Sequence, residues 1–108
     1  MIRVDIFRKK GNIVKVVMDG HAEYSDGDDI VCASASSVAY AMLSGIEKLV
    51  GVKFGYETGD GYLYFVLPDD MNKSDREKTA LITETFCLFV NDLADKYSDN
   101  VKVTELEV

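Results

Sequence analysis

A chain of 108 residues, 47% hydrophobic and 29% charged, suits a single domain spanning 1–108 with one core, and its composition points to a globular chain, neither disordered nor membrane-spanning. The formal net charge of −7 argues against direct contact with nucleic acid, which depends on clustered Lys and Arg; Lys9-Lys10 and Arg76-Glu77-Lys78 are too sparse for that. No apolar run approaches the ~20 residues of a membrane span, and Met1-Ile2-Arg3-Val4-Asp5 opens no apolar signal segment, so a cytoplasmic chain with no membrane partner is expected.

In chain order, Ile2, Val4 and Ile6 alternate with Arg3, Asp5 and Phe7, predicting a strand over residues 2–8 with one face inward. Lys9-Lys10-Gly11-Asn12 is turn chemistry, and the β-branched stretch at 13–18 completes a hairpin. A polar loop follows over 19–28, with Gly20 and Gly27 near its ends. Asp28 or Asp29 then offers an N-cap to a helix whose apolar stripe runs Val31, Ala35, Val38, Met42, Ile46, Leu49, with Gly51 as its stop.

Residues 52–57 and 62–67, joined by Thr58-Gly59-Asp60-Gly61 and closed by Pro68, predict a second hairpin. Its aromatic strand should turn Leu63 and Phe65 inward and Tyr62 and Tyr64 outward, where they suit a peptide groove or a dimer contact. Ser74-Asp75-Arg76-Glu77 matches a capping box, opening a helix to about Tyr97. A last strand is expected over 101–108. The order ββαββαβ implies an α+β two-layer sandwich: a mainly antiparallel five-stranded sheet with two helices on one face.

The reactive groups concentrate between Gly20 and Ser36. His21 is the only histidine, so any imidazole base must be this one. Cys32 falls at about the third residue of the first helix, where unpaired N–H groups and the positive end of the macrodipole favour thiolate. The small residues after it, Ala33, Ser34, Ala35, Ser36 and Ser37, leave room for an extended peptide. Free N–H groups there suit an oxyanion. Ser36 lies on the Cys32 face of the helix, four residues on. The bland reading stands beside this one: a helix cysteine is more often a small packing residue, and Cys87, in Phe86-Cys87-Leu88-Phe89-Val90, is read so. Asp29 is both a candidate N-cap and a candidate orienter of His21.

Two separated cysteines suggest neither a disulfide scaffold nor, with one histidine, a zinc site. The acidic loop at 26–29 lacks the far-end carboxylate of a calcium loop. Gly59-x-Gly61 is a turn with no following helix to hold phosphate. No metal and no cofactor are expected.

The stretch Gly20-His21-Ala22, an acidic glycine-containing loop, then Asp29-Ile30-Val31-Cys32-Ala33 with Ser36 resembles the signature of the ribosomal-processing cysteine protease Prp family, the YsxB-like proteins. The likeness extends over the whole chain in length and element order. It implies a homodimeric peptidase with a Cys–His dyad. Such an enzyme removes an N-terminal extension from large-subunit ribosomal protein number twenty-seven, cutting after an aromatic residue. By position, Cys32 corresponds to the nucleophile and His21 to the base, with Gly20, Asp29, Ala33 and Ser36 binding substrate or supporting the site. The sequence departs in having Ala35 where a larger aliphatic residue is expected, and in a slightly short loop between His21 and Cys32. Thiolate attack would give an acyl-enzyme for water to hydrolyse. The loop over 22–28 would close over the peptide on hinges at Gly20 and Gly27. The alternatives are a noncatalytic module binding ribosomal protein, and a thiol redox sensor, which would need a resolving thiol that Cys87 is poorly placed to supply.

Overall fold

A computed structural model describes residues 1–108. Five strands form one sheet: β1 (Ile2–Lys9), β2 (Asn12–Asp19), β3 (Gly55–Gly59), β4 (Tyr62–Val66) and β5 (Val101–Glu107), in the order β3-β4-β2-β1-β5. Helix α1 (Ile30–Gly45) links β2 to β3, and helix α2 (Lys73–Lys96) links β4 to β5. Three of the pairings are antiparallel, while β5 lies parallel to β1, with Val4 opposite Val103. The ββαββαβ order and the α+β class are as expected, and the sheet is mixed.

The pairing pattern accounts for the one-sided helical layer. β3 runs parallel to β2 and β5 parallel to β4, so each helix crosses between parallel strands and skips the neighbours between them. β2 and β4 point opposite ways, and their crossovers leave in opposite directions across the sheet. Two crossovers of the same hand, the right hand that strand twist favours, then fall on the same face.

Alternation supplies the apolar layer beneath them. Ile2, Val4 and Ile6 from β1, Val16 and Met18 from β2, Leu63 and Phe65 from β4 and Val101 from β5 are buried. They meet Val31, Ala35, Ala39, Met42, Leu43 and Ile46 of the first helical segment and Phe86, Val90 and Leu93 of α2. Burying a large apolar side chain contributes on the order of 1.5–3 kcal/mol. Ala35, where the resemblance led to the expectation of a larger aliphatic residue, is 1% exposed; it sits on the sheet side of α1.

Several boundaries differ from expectation. After Gly45 the helix widens into a π turn over Ile46–Val50, closed by Gly51 N–H donating to Ile46 O at 3.0 Å with Gly51 at φ 82°. Each residue of a wider turn rotates through a smaller angle, so the stripe lags. Leu49, expected inward, is 84% exposed, and Val50 packs against the core instead. The span Ile30–Val50 is long and apolar enough by length and composition to cross a bilayer, which corrects the reading that no segment is. Its buried residues are committed to the sheet.

Strand β3 begins at Gly55, three residues later than predicted; Val52 is buried and Phe54 stacks edge-on to Phe65. α2 is capped not by Ser74 but by Asn72, whose side-chain oxygen accepts from Asp75 N at 2.8 Å. Asn72 sits two residues earlier and captures the same kind of first-turn donor, leaving Ser74 inside the first turn. At the other end of β1, Arg8 clamps α2 to β5. Its guanidinium donates to both Glu84 oxygens and to Glu105 Oε1 at 2.7–2.8 Å, and these bonds hold Arg8 more firmly in its charged form than usual.

Candidate active site

The site lies at the end of the sheet where β2 finishes, β4 begins and α1 starts. Gly20, His21, Cys32, Ser36, Tyr40, Asp60, Gly61 and Tyr62 line one cleft of about 240 Å³. Cys32 is half-buried on the cleft side of α1, and both cysteines are free. Ser36 and Tyr40 follow it at successive i+4 positions, which keeps all three on one helix face. A larger concavity, about 310 Å³, opens at the far end of the sheet between Lys9, Lys10, Met71 and Arg76. It contains neither thiol nor imidazole.

His21 stands beside the β3–β4 turn with its side chain 53% exposed, and its Nε2 is 3.8 Å from Asp60 Oδ1. Gly20, just before it, has φ 97° and donates its N–H to Gly61 O at 2.8 Å. A Cβ on Gly20 would drive into the Met1 carbonyl. The glycine therefore serves a close backbone crossing and is pinned on two sides, a placement that speaks against the expected hinge. After His21, Ala22 is buried and its carbonyl accepts from Asn100 Nδ2 at 2.9 Å. Tyr24 packs edge-on to Tyr97.

Asp29, not Asp28, caps α1. Its Oδ1 accepts from Val31 N and Cys32 N at 3.0 Å each, and its Oδ2 from Tyr24 N and Ser25 N at 2.9 and 3.3 Å. Both oxygens are thus committed to backbone, and Asp29 ties the loop to the helix start. The expectation of free first-turn donors is met only by Ile30 N–H, which has no acceptor. Val31 and Cys32 N–H are taken by the carboxylate, and Ala33 N–H by Asp29 O at 2.9 Å.

These bonds hold the Asp29 carboxyl below the usual carboxylate range, the Cys32 N–H contributing most, against an opposing push from burial. A lowered folded-state pKa adds stability above the unfolded value of about 3.9 and loses it as pH falls through the folded one. Asp29→Asn should therefore flatten the decline of the thermal midpoint expected of wild type below about pH 4. Parallel declines in melts recorded across that range would contradict the assignment.

Ala33 is exposed and lies off the cleft, in a shallow groove with Ile30, Ser34, Ser37, Val38 and Phe89. One residue past Cys32 the helix has turned by about 100°, so the two cannot share the cleft face. Sequence reasoning missed Asp60, Gly61 and Tyr40. Tyr40 was detectable from its spacing, eight residues after Cys32; the turn residues reach His21 only through tertiary packing. Cys87 is buried at 5% exposure, with its sulfur 3.6 Å from an Arg8 nitrogen and 3.7 Å from Glu105 Oε1. Burial above all, and the Glu105 charge after it, push its thiol pKa up. No set of three or more His, Cys, Asp or Glu side chains converges as metal ligands would.

Comparison with known proteins agrees over nearly the whole chain. The family model described as cysteine protease Prp matches residues 1–102. The ribosomal processing cysteine protease Prp of Bacillus subtilis is 31% identical over 109 aligned residues, covering 96% of each chain. That of Staphylococcus aureus is 30% identical over 107, covering 95% of this chain and 97% of its own. The crystal structure of the S. aureus protease with a covalently linked product peptide superposes with a TM-score of 0.87 at 29% identity, covering 97% of this chain and 99% of that one. The same protease with a substrate peptide gives 0.83 at 28%, with the same coverage. This chain belongs to the Prp family of ribosomal-processing cysteine proteases.

Proposed function

We propose that this cysteine protease works through a Cys32–His21 dyad and removes the N-terminal extension of large-subunit ribosomal protein twenty-seven during ribosome assembly. The observation that carries the reading is the shared cleft: the sole imidazole and the half-buried thiol line the same walls, with Ser36 beside them. Because Asp29 already takes the N–H groups of Val31 and Cys32, the activating role falls to His21. It takes the Cys32 proton, the thiolate attacks the scissile carbonyl, and the imidazolium protonates the leaving amine. Water then hydrolyses the acyl-enzyme, with His21 again as base.

An extended peptide segment is the substrate class that a cleft walled by a helix face and a hairpin turn admits, and Tyr40 and Tyr62 offer aromatic surface along it. The relatives' ribosomal processing and the peptide complexes of the S. aureus protease support the same class. The place of action is the cytoplasm, where ribosomal substrate is made. The working form is a homodimer, for which the exposed Leu49, Leu81 and Leu88 on the outer helix faces provide apolar surface. Family membership sets aside a noncatalytic module. The bonding of Cys87 to Arg8, Glu105 and Asn91 speaks against a resolving thiol.

Iodoacetamide labelling at neutral pH tests the dyad directly. Cys32 should label much faster than the buried Cys87 in wild type, and His21→Ala should slow Cys32 alone. Equal slow labelling of both thiols, or a Cys32 rate indifferent to His21, would remove the basis for the reading.

A further inference from the structure

We propose that Gly61 is a positioning residue for His21, its bare Cα forming the seat against which the imidazole is held. This rests on the reading of His21 as the base. A Cβ built at Gly61 would lie 2.6 Å from His21 Nε2, 3.0 Å from Cε1 and 3.1 Å from Cδ2, all inside contact distance. One edge of the ring therefore faces this glycine. About half of the imidazole lies in solvent, so this glycine forms part of the limited protein surface that bounds the ring.

The seat is held in register with the chain that carries the ring. Gly20 N–H donates to Gly61 O at 2.8 Å, which fixes the β3–β4 turn one residue from His21. Asp60, next in the turn, adds a carboxylate 3.8 Å from Nε2; it is almost fully exposed, so its attraction is screened. Gly61 also adopts φ 65°, a left-handed conformation costly for other residues. That requirement by itself would explain a glycine in any hairpin turn. The ring contact is a second requirement, and the two can be separated.

Gly11 provides the control. It has φ 83° in the β1–β2 turn, and a Cβ there would meet nothing within 4 Å. Gly11→Ala and Gly61→Ala share the backbone penalty, but only the second intrudes on the imidazole. The group in its way is a side chain, and rotating the ring aside is the cheapest relief. Gly61→Ala should therefore melt close to Gly11→Ala while its histidine is displaced. A misplacement on the order of 1 Å costs about a hundredfold in rate.

Because His21 is the only histidine, its ring gives a single Cε1–Hε1 cross-peak in a carbon-13 correlation spectrum. Gly61→Ala should move that peak and lower kcat about a hundredfold, with KM within about threefold, on a synthetic peptide spanning the N-terminal extension. Gly11→Ala should do neither. An unmoved peak overturns the proposal, as does a moved peak with wild-type kcat or an equal loss in Gly11→Ala. Failure of the underlying reading looks different: His21→Ala would still cleave the peptide, while the peak in Gly61→Ala would still move.

Discussion

Cys32→Ser and His21→Ala are each expected to abolish cleavage of the extension peptide while leaving the melting transition near that of wild type. A serine hydroxyl is a weak nucleophile at its ordinary pKa, and a thiol is intrinsically a strong one. Removing the nucleophile of a hydrolytic unit costs at least roughly a thousandfold in kcat, and removing a general base costs about 10²–10⁴. Stability should change little, because Cys32 is half-buried and His21 half-exposed, so neither variant opens a large cavity or strands a fully buried polar group. Cys87→Ser is the complementary variant: it places a hydroxyl in a buried position and should lower stability while cleavage persists. Mass spectrometry of the peptide with each variant, alongside circular dichroism melts, measures both. Residual cleavage by Cys32→Ser, or loss of cleavage in a well-folded Cys87→Ser, would reverse the assignment.

The double variant separates the roles further. Groups that act as one unit lose far less together than the sum of their single losses. Cys32→Ser with His21→Ala should be barely slower than Cys32→Ser alone.

Alternating and helical periodicities carried most of the element order, because Ile2, Val4 and Ile6 or Leu63 and Phe65 alternate only if they belong to strands with one covered face. What periodicity does not encode is which strands pair. The parallel place of β5 beside β1 depends on Val101 and Val103 filling the last gap under α2. Local signals also compete. Asn72 and Ser74 both offer capping chemistry, and it is the extended Asn72, at φ −68° and ψ 168°, that takes Asp75 N–H. The π turn that exposes Leu49 has no residue signature at all.

At the site, the stretch from Gly20 to Ser36 was legible because reactive residue types crowd a strand end and a helix start. Two of its details were not. The donors of the first helical turn look free in sequence, yet Asp29 takes those of Val31, Cys32 and Ala33. Ala33 looks adjacent to Cys32, yet one step of helical rotation carries it away. Asp60 and Gly61 enter the cleft from forty residues along the chain, and only the β2–β4 pairing of Asp19 with Tyr62 brings them there.

Gly20→Ala is expected to have the largest effect on stability of the glycine variants around the site. Unlike Gly61, Gly20 faces backbone: a methyl would collide with the Met1 carbonyl, and a carbonyl cannot rotate aside as a ring can. Turning the Met1–Ile2 peptide to make room would pull Ile2 N–H from Asn100 O, to which it donates at 2.8 Å. It would also disturb the first residue of β1, where Ile2 is buried. A φ of 97° adds a conformational cost of about 1–2 kcal/mol for an L-residue. Together these should cost about 2–4 kcal/mol, a large share of the roughly 5–15 kcal/mol that holds such a domain folded. At this size that corresponds to a fall in thermal midpoint of roughly 10 °C or more. Gly27→Ala meets nothing within 4 Å and has no positive φ, so it should melt with wild type. If the glycines served only as flexible joints, the two variants would melt alike, and calorimetry on the pair decides between a hinge and a crossing.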